Sequence, residues 1–209
     1  DRVVEEDQAE AKKEKQRVNL MVINHFKIAV GPSVSVSAAI SAPDGSSADI
    51  AVIVAHGAGN NMDHPLLVAF CERLTLAGIA TVRFNFPYME AKSRRPDRPP
   101  VAVATVRAAV AEAARLAPDL PLFAGGKSFG GRMTSTAQAE APLAAVRGLV
   151  FFGFPLHPPG KPSDDRAAHL AGVAVPMLFL QGTRDTFAGL DLLEPLCRRL
   201  GGRATLHLF

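Results

Sequence analysis

Pro121-Leu122-Phe123-Ala124-Gly125-Gly126-Lys127-Ser128-Phe129-Gly130 carries a short apolar run straight into a G-x-S-x-G pentapeptide, and a helix-compatible stretch follows. Strand, tight turn and helix in that order place Ser128 at a sharp reversal of the chain. A serine there is held in a strained conformation with its hydroxyl exposed, and glycines two residues to either side remove the atoms the turn would crush. A glycine-rich βα turn without chemistry would use the same residues. Gly126-Lys127-Ser128 also ends like a phosphate-binding loop, but that loop needs a glycine five positions earlier, where Pro121 stands. Gly57-Ala58-Gly59 fails as a dinucleotide fingerprint, because Met62 occupies the place of its third glycine.

Working outward, the pattern becomes a regular alternation. Asn24–Val30 and Val34–Ala42 are short β-prone runs around Gly31-Pro32, which reads as a hairpin. Ile50–Ala55 is continuously apolar, as befits a strand covered on both faces. Pro65 suits the first turn of a helix whose Leu67, Phe70, Cys71 and Leu74 form one stripe, closed by Gly78. Strand Ala80–Phe84, a helix marked by Val103, Val106, Val110 and Ala114, strand 121–125, and helix 129–140 come next. Strands Gly148–Phe152 and Met177–Gln181, helix Leu190–Leu200 and strand Ala204–Phe209 complete the series. Strands separated by helices of this length pair in parallel through right-handed crossovers. The expected fold is a doubly wound, mostly parallel α/β sheet with an antiparallel N-terminal hairpin at one edge. Gly153–Ala171 is too short for a folded lid, so no cap domain is expected.

Composition narrows the possible partners. With 209 residues and 48% hydrophobic, the chain can bury the core of one domain, expected over residues 21–209, behind a charged extension at 1–20. A net charge of +3 needs no nucleic acid to explain it, and Lys92, Arg94, Arg95 and Arg98 read as a solvated loop. Cys71 and Cys197 have neither metal-ligand nor disulfide-framework spacing, which fits a reducing, cytoplasmic setting. No apolar run reaches membrane-spanning length. Neither metal nor cofactor is expected, and the oligomeric state stays open.

Ligands of such sheets bind beyond the carboxyl ends of the strands. His56-Gly57-Ala58-Gly59, Ser128 and Asp185 all follow different strands at that rim. Together with Met62-Asp63-His64-Pro65, Gly126–Arg132 and Phe154-Pro155-Leu156-His157-Pro158-Pro159-Gly160-Lys161-Pro162, these segments resemble the α/β-hydrolase superfamily over residues 24–209. More narrowly they resemble a small branch of compact bacterial hydrolase-like proteins, a testis-expressed protein and a chromatin-complex subunit. The branch is related to dienelactone hydrolases, which use a cysteine where this chain has Ser128.

The resemblance implies Ser128 as nucleophile, with an oxyanion hole from the N–H groups of Phe129 and Ala58. It implies Asp185, just past an apolar strand, as the carboxylate that orients a histidine. A loop or capping aspartate is the plainer reading of Asp185, and Asp191 is the weaker acid candidate. His56, Gly57, Lys127 and His157 are expected to line the rim. The resemblance puts the histidine after the last strand, but His207, the only one after Asp185, reads as part of that strand. The chain is therefore expected to stop before its general base, and to be slow for that reason. The implied activity is hydrolysis of small carboxylic esters or thioesters through an acyl-enzyme on Ser128. A non-catalytic scaffold on the same fold is the alternative.

Overall fold

In the computed structural model, residues 21–44 and 48–209 are described. The expectation of a charged extension falls on residues 1–20, outside them. Eight strands form one sheet in the order β1-β2-β4-β3-β5-β6-β7-β8. Strands β1 (Met21–Ala29) and β2 (Ser35–Pro43) are the antiparallel hairpin, with β2 also antiparallel to β4 (Ile79–Phe84). From there β3 (Ile50–Ala55), β5 (Leu122–Lys127), β6 (Val146–Phe152), β7 (Met177–Gln181) and β8 (Ala204–Leu208) are joined in parallel.

The alternation within β3 shows how two layers are covered. Ala51, Ile53 and Ala55 enter the large core, while Val52 and Val54 pack with Leu67 and Cys71 in a smaller one. Successive strand residues face opposite sides, so α1 (Pro65–Leu76) covers one face. Helices α3 (Pro99–Leu116), α4 (Phe129–Glu140) and α5 (Leu190–Leu200) supply the large core on the other. Cys71 belongs to the small core and Cys197 to the large one, so the sheet lies between them. Between β6 and β7 there is only loop and a 3₁₀ turn at Asp165–Gly172, which leaves no cap domain. No helix of the described residues is long and apolar enough to cross a membrane.

The sheet order decides where a ligand can enter. From β3 the chain steps outward to β4, whereas β5 lies on the other side of β3. The loops after β3 and β5 therefore leave toward opposite faces, and a crevice opens between them. Ser128 follows β5 at that crevice.

Candidate active site

Ser128 has φ 49° and ψ −110°. Only it and Lys92 combine a side chain with positive φ among the described residues. Such a conformation costs on the order of 1–3 kcal/mol and persists only where surroundings enforce it. Here the Ser128 N–H donates to the Phe152 carbonyl (3.3 Å), and the Ser128 carbonyl accepts from the Arg132 N–H (3.0 Å). The flanking glycines are set by close approach to β3. A Cβ on Gly126 would lie 2.2 Å from the Ala55 carbonyl oxygen, and one on Gly130 would lie 2.5 Å from the same atom. Serine at a helix N-cap normally bonds an N–H of the first turn. Ser128 makes no such side-chain bond, so its hydroxyl is not spent on α4.

The loop after β3 lies against this turn, with the Cβ direction of Gly57 only 3.6 Å from the Lys127 carbonyl oxygen. Ala58 is exposed on that loop, and Phe129 opens α4, where first-turn N–H groups lack intrahelical acceptors. The segment after β4 anchors the loop. The Met62 N–H donates to Asn85 Oδ1 (2.8 Å), and the Gly59 N–H donates to Tyr88 Oη (3.3 Å). Asn85 Nδ2 in turn donates to Glu90 Oε1 (3.1 Å), as does the Ser37 N–H (2.7 Å), and Lys27 Nζ reaches Glu90 Oε2 (3.4 Å). Burial pushes the Glu90 carboxyl up, but the bonds from Ser37 and Asn85 and the Lys27 charge outweigh it and hold the pKa at about 2. The sequence offered one signal for this support. Asn85, Tyr88 and Glu90 are polar residues crowded just past the carboxyl end of a parallel strand.

His56 is oriented by the fold. Its ring is buried, with Nε2 accepting the Phe86 N–H (3.2 Å) and Nδ1 facing the Gly57 carbonyl (2.9 Å). An acceptor at Nε2 requires the neutral ring with its proton on Nδ1. Burial lowers its pKa to about 4, against a smaller upward pull from the Gly57 carbonyl. An unfolded chain takes up that proton near pH 6.5, so stability is present above pH 6.5 and falls as pH drops toward 4. The loss from this ring should reach about 3 kcal/mol near pH 4. Urea midpoints at pH 7 and pH 4.5 should differ in that direction. Ring-nitrogen NMR at pH 5.5 should still report the neutral Nδ1–H form; a protonated ring there would contradict the assignment.

Asp185 lies four residues past β7. Its Oδ2 accepts from Gln181 Nε2 (2.7 Å), and its Oδ1 accepts the Phe187 N–H (2.9 Å). Asp191 instead sits exposed in the first turn of α5, where negative charge stabilises a helix. Strands β5 and β7 have β6 between them, which puts their ends roughly 10 Å apart at normal strand spacing. One imidazole with a hydrogen bond of about 2.8 Å on either side spans most of such a gap.

Of the other histidines, His64 borders the cleft beside the rim. His207 is exposed within β8, opposite Leu180. His157 is buried, with Nδ1 2.9 Å from the Pro158 carbonyl, and His169 Nε2 meets Ser135 Oγ at 2.7 Å. Among the described residues no histidine hydrogen-bonds Ser128. A cleft of about 650 Å³ runs beside the rim. His56, Gly57, Lys127, Gly153 and Asp185 border it, and Leu66, Leu67, Phe70, Phe152 and Phe209 supply apolar wall. Neither His157 nor Ser128 is on its wall, although Lys127, the residue before Ser128, is.

A sheet of this order, with the serine turn after β5 and the carboxylate after β7, defines a class. The chain belongs to the alpha/beta hydrolase domain family, whose model matches residues 48–209. Among solved structures it is similar to a dienelactone hydrolase from Anabaena variabilis, at 21% identity and TM-score 0.74, over 91% of this chain and 86% of that one. An alpha-beta serine hydrolase homologue from Coxiella burnetii gives 20% identity and TM-score 0.73, over 89% and 86% of the two chains. A serine hydrolase "without lid" from Xanthomonas campestris gives 20% and 0.69, over 90% and 83%. At these identities the likeness is one of fold.

Proposed function

We propose that this protein is a serine hydrolase that cleaves small carboxylic esters or thioesters through an acyl-enzyme on Ser128. The observation that carries the reading is the backbone of Ser128, strained at φ 49° while its hydroxyl stays free of helix capping. Strain of this kind is retained where it serves the chemistry. Ser128 Oγ adds to the acyl carbon as its proton passes to a histidine base, and the base returns that proton to the departing alcohol or thiol. The N–H groups of Phe129 and Ala58 hold the oxyanion, and the positive end of α4 adds to their field. Water then repeats the sequence on the acyl-enzyme and releases the acid. Asp185 orients the base and stabilises its charged form.

The cleft beside Lys127 supports an acyl substrate, since its apolar wall of Leu66, Leu67, Phe70 and Phe152 can shelter a short aliphatic or aromatic acyl chain. Fold neighbours named as esterases and dienelactone hydrolases agree with carboxylic esters as the substrate class. The test is covalent capture. A fluorophosphonate probe should modify one residue, recovered in the peptide that contains Ser128, and Ser128→Ala should abolish the adduct. Labelling at another residue, or labelling that survives the substitution, would overturn the reading.

A further inference from the structure

Strand β7 places Met177, Phe179 and Gln181 on its core side, and all three are buried. Two apolar residues and then a fully buried amide is a costly pattern unless every polar atom of the amide is used. Gln181 uses both ends. Its Oε1 accepts the Phe154 N–H at 2.9 Å, an interaction only the oxygen can make, and this turns Nε2 toward Asp185 Oδ2 at 2.7 Å. The other carboxylate oxygen takes the Phe187 N–H. Gly153 keeps the approach open, since a Cβ there would stand 3.3 Å from Asp185 Oδ2.

From this arrangement we infer that Gln181 is a positioning residue for Asp185: it fixes the plane of the carboxylate by donating to Oδ2. The inference rests on the proposed role of Asp185. Each carboxylate oxygen keeps a second lone pair, so the pinned group can still accept from a histidine over β6. Proper orientation of that histidine is what the acid supplies to catalysis. The Phe154 bond has a further consequence. It ties the orientation of the acid to the start of the loop that follows β6, so one side chain couples the ends of two strands at the rim.

A purely structural clip would use the same hydrogen bonds, and Gln181→Glu separates the two roles. The introduced side chain keeps the size of glutamine and an oxygen acceptor for the Phe154 N–H. It replaces the donor facing Asp185 with an oxygen that is charged at neutral pH. The expected result is a fall in kcat of about 10- to 100-fold, the worth of one charge-assisted hydrogen bond, with KM within about twofold of the parent. The ratio of variant to parent kcat should rise as pH falls, because the introduced carboxyl takes a proton and donates it as the amide did.

The double variant Gln181→Glu/Asp185→Asn exchanges donor and acceptor. It should recover the thermal stability lost by the single variant while remaining inactive. Asp185→Asn is measured alongside. If it is inactive and Gln181→Glu turns over like the parent, positioning by Gln181 is wrong while the acid assignment stands. A fall in kcat that does not change with pH reduces Gln181 to a structural clip and likewise overturns the inference. If Asp185→Asn is itself as active as the parent, the acid has been misassigned and the reading beneath the inference fails first.

Discussion

With a histidine base in place, Ser128→Ala should lower ester turnover by about 10⁶-fold without unfolding the protein. That magnitude follows from how nucleophile, base and acid act as one unit, so that loss of the nucleophile alone removes nearly all they contribute. Catalysis of about 10³–10⁴ over water should survive, since the oxyanion donors and substrate binding are untouched. Stability should change little. Both serine and alanine carry a Cβ, so the strain at φ 49° is common to parent and variant. The Ser128 hydroxyl also caps nothing whose loss would weaken α4. Steady-state hydrolysis of nitrophenyl acetate and butyrate, with a thermal melt followed by circular dichroism, checks both halves. A variant that melts like the parent and retains a tenth of its rate would remove Ser128 from the chemistry.

How much of this was legible in the sequence depended on how local each cause was. The inner strands announced themselves as apolar runs, and Ile50–Ala55 and Met177–Gln181 have the same limits in the structure as in the sequence reading. The turn at Ser128 was readable because its requirements lie within five residues: glycine at 126 and 130, and a strand before them. What stayed hidden had partners far along the chain. The helical turn α2 (Pro87–Glu90) is too short to show a period, and its value lies in Tyr88 and Glu90, which reach back 29 and 53 residues to Gly59 and Ser37.

His56 follows the same logic. Its position just past β3 suggested a ring lining the rim, and the residue does border the cleft. The ring itself is held inward by the Phe86 N–H thirty residues away. Gln181 was visible only as the last residue of an apolar strand. Its amide lies in the core because β7 alternates, and it is satisfied there by Phe154, which belongs to a different strand end. Pattern reading finds elements and the residues on their rims. It does not find which distant backbone group will claim a side chain.

The choice between two nearby aspartates brings these levels together. Asp185→Asn should cut kcat by a factor on the order of 10⁴, the cost of leaving the catalytic histidine without its proper tautomer and orientation. The fold should survive, because asparagine keeps an oxygen that can accept the Phe187 N–H, although its amide nitrogen would then face that of Gln181. Stability should drop by about 1–3 kcal/mol for that lost, part-buried bond. Asp191→Asn should behave in the opposite way. It removes a charge from the first turn of α5, worth about 0.3–1 kcal/mol through the helix dipole, and should leave kcat within about twofold. The contrast arises from two backbone environments six residues apart. One carboxylate is pinned on both oxygens beside the cleft, and the other is exposed on a helix end. Paired measurements of kcat and urea midpoint on the two variants decide the matter. Near-normal turnover in Asp185→Asn together with an inactive Asp191→Asn would move the acid to Asp191.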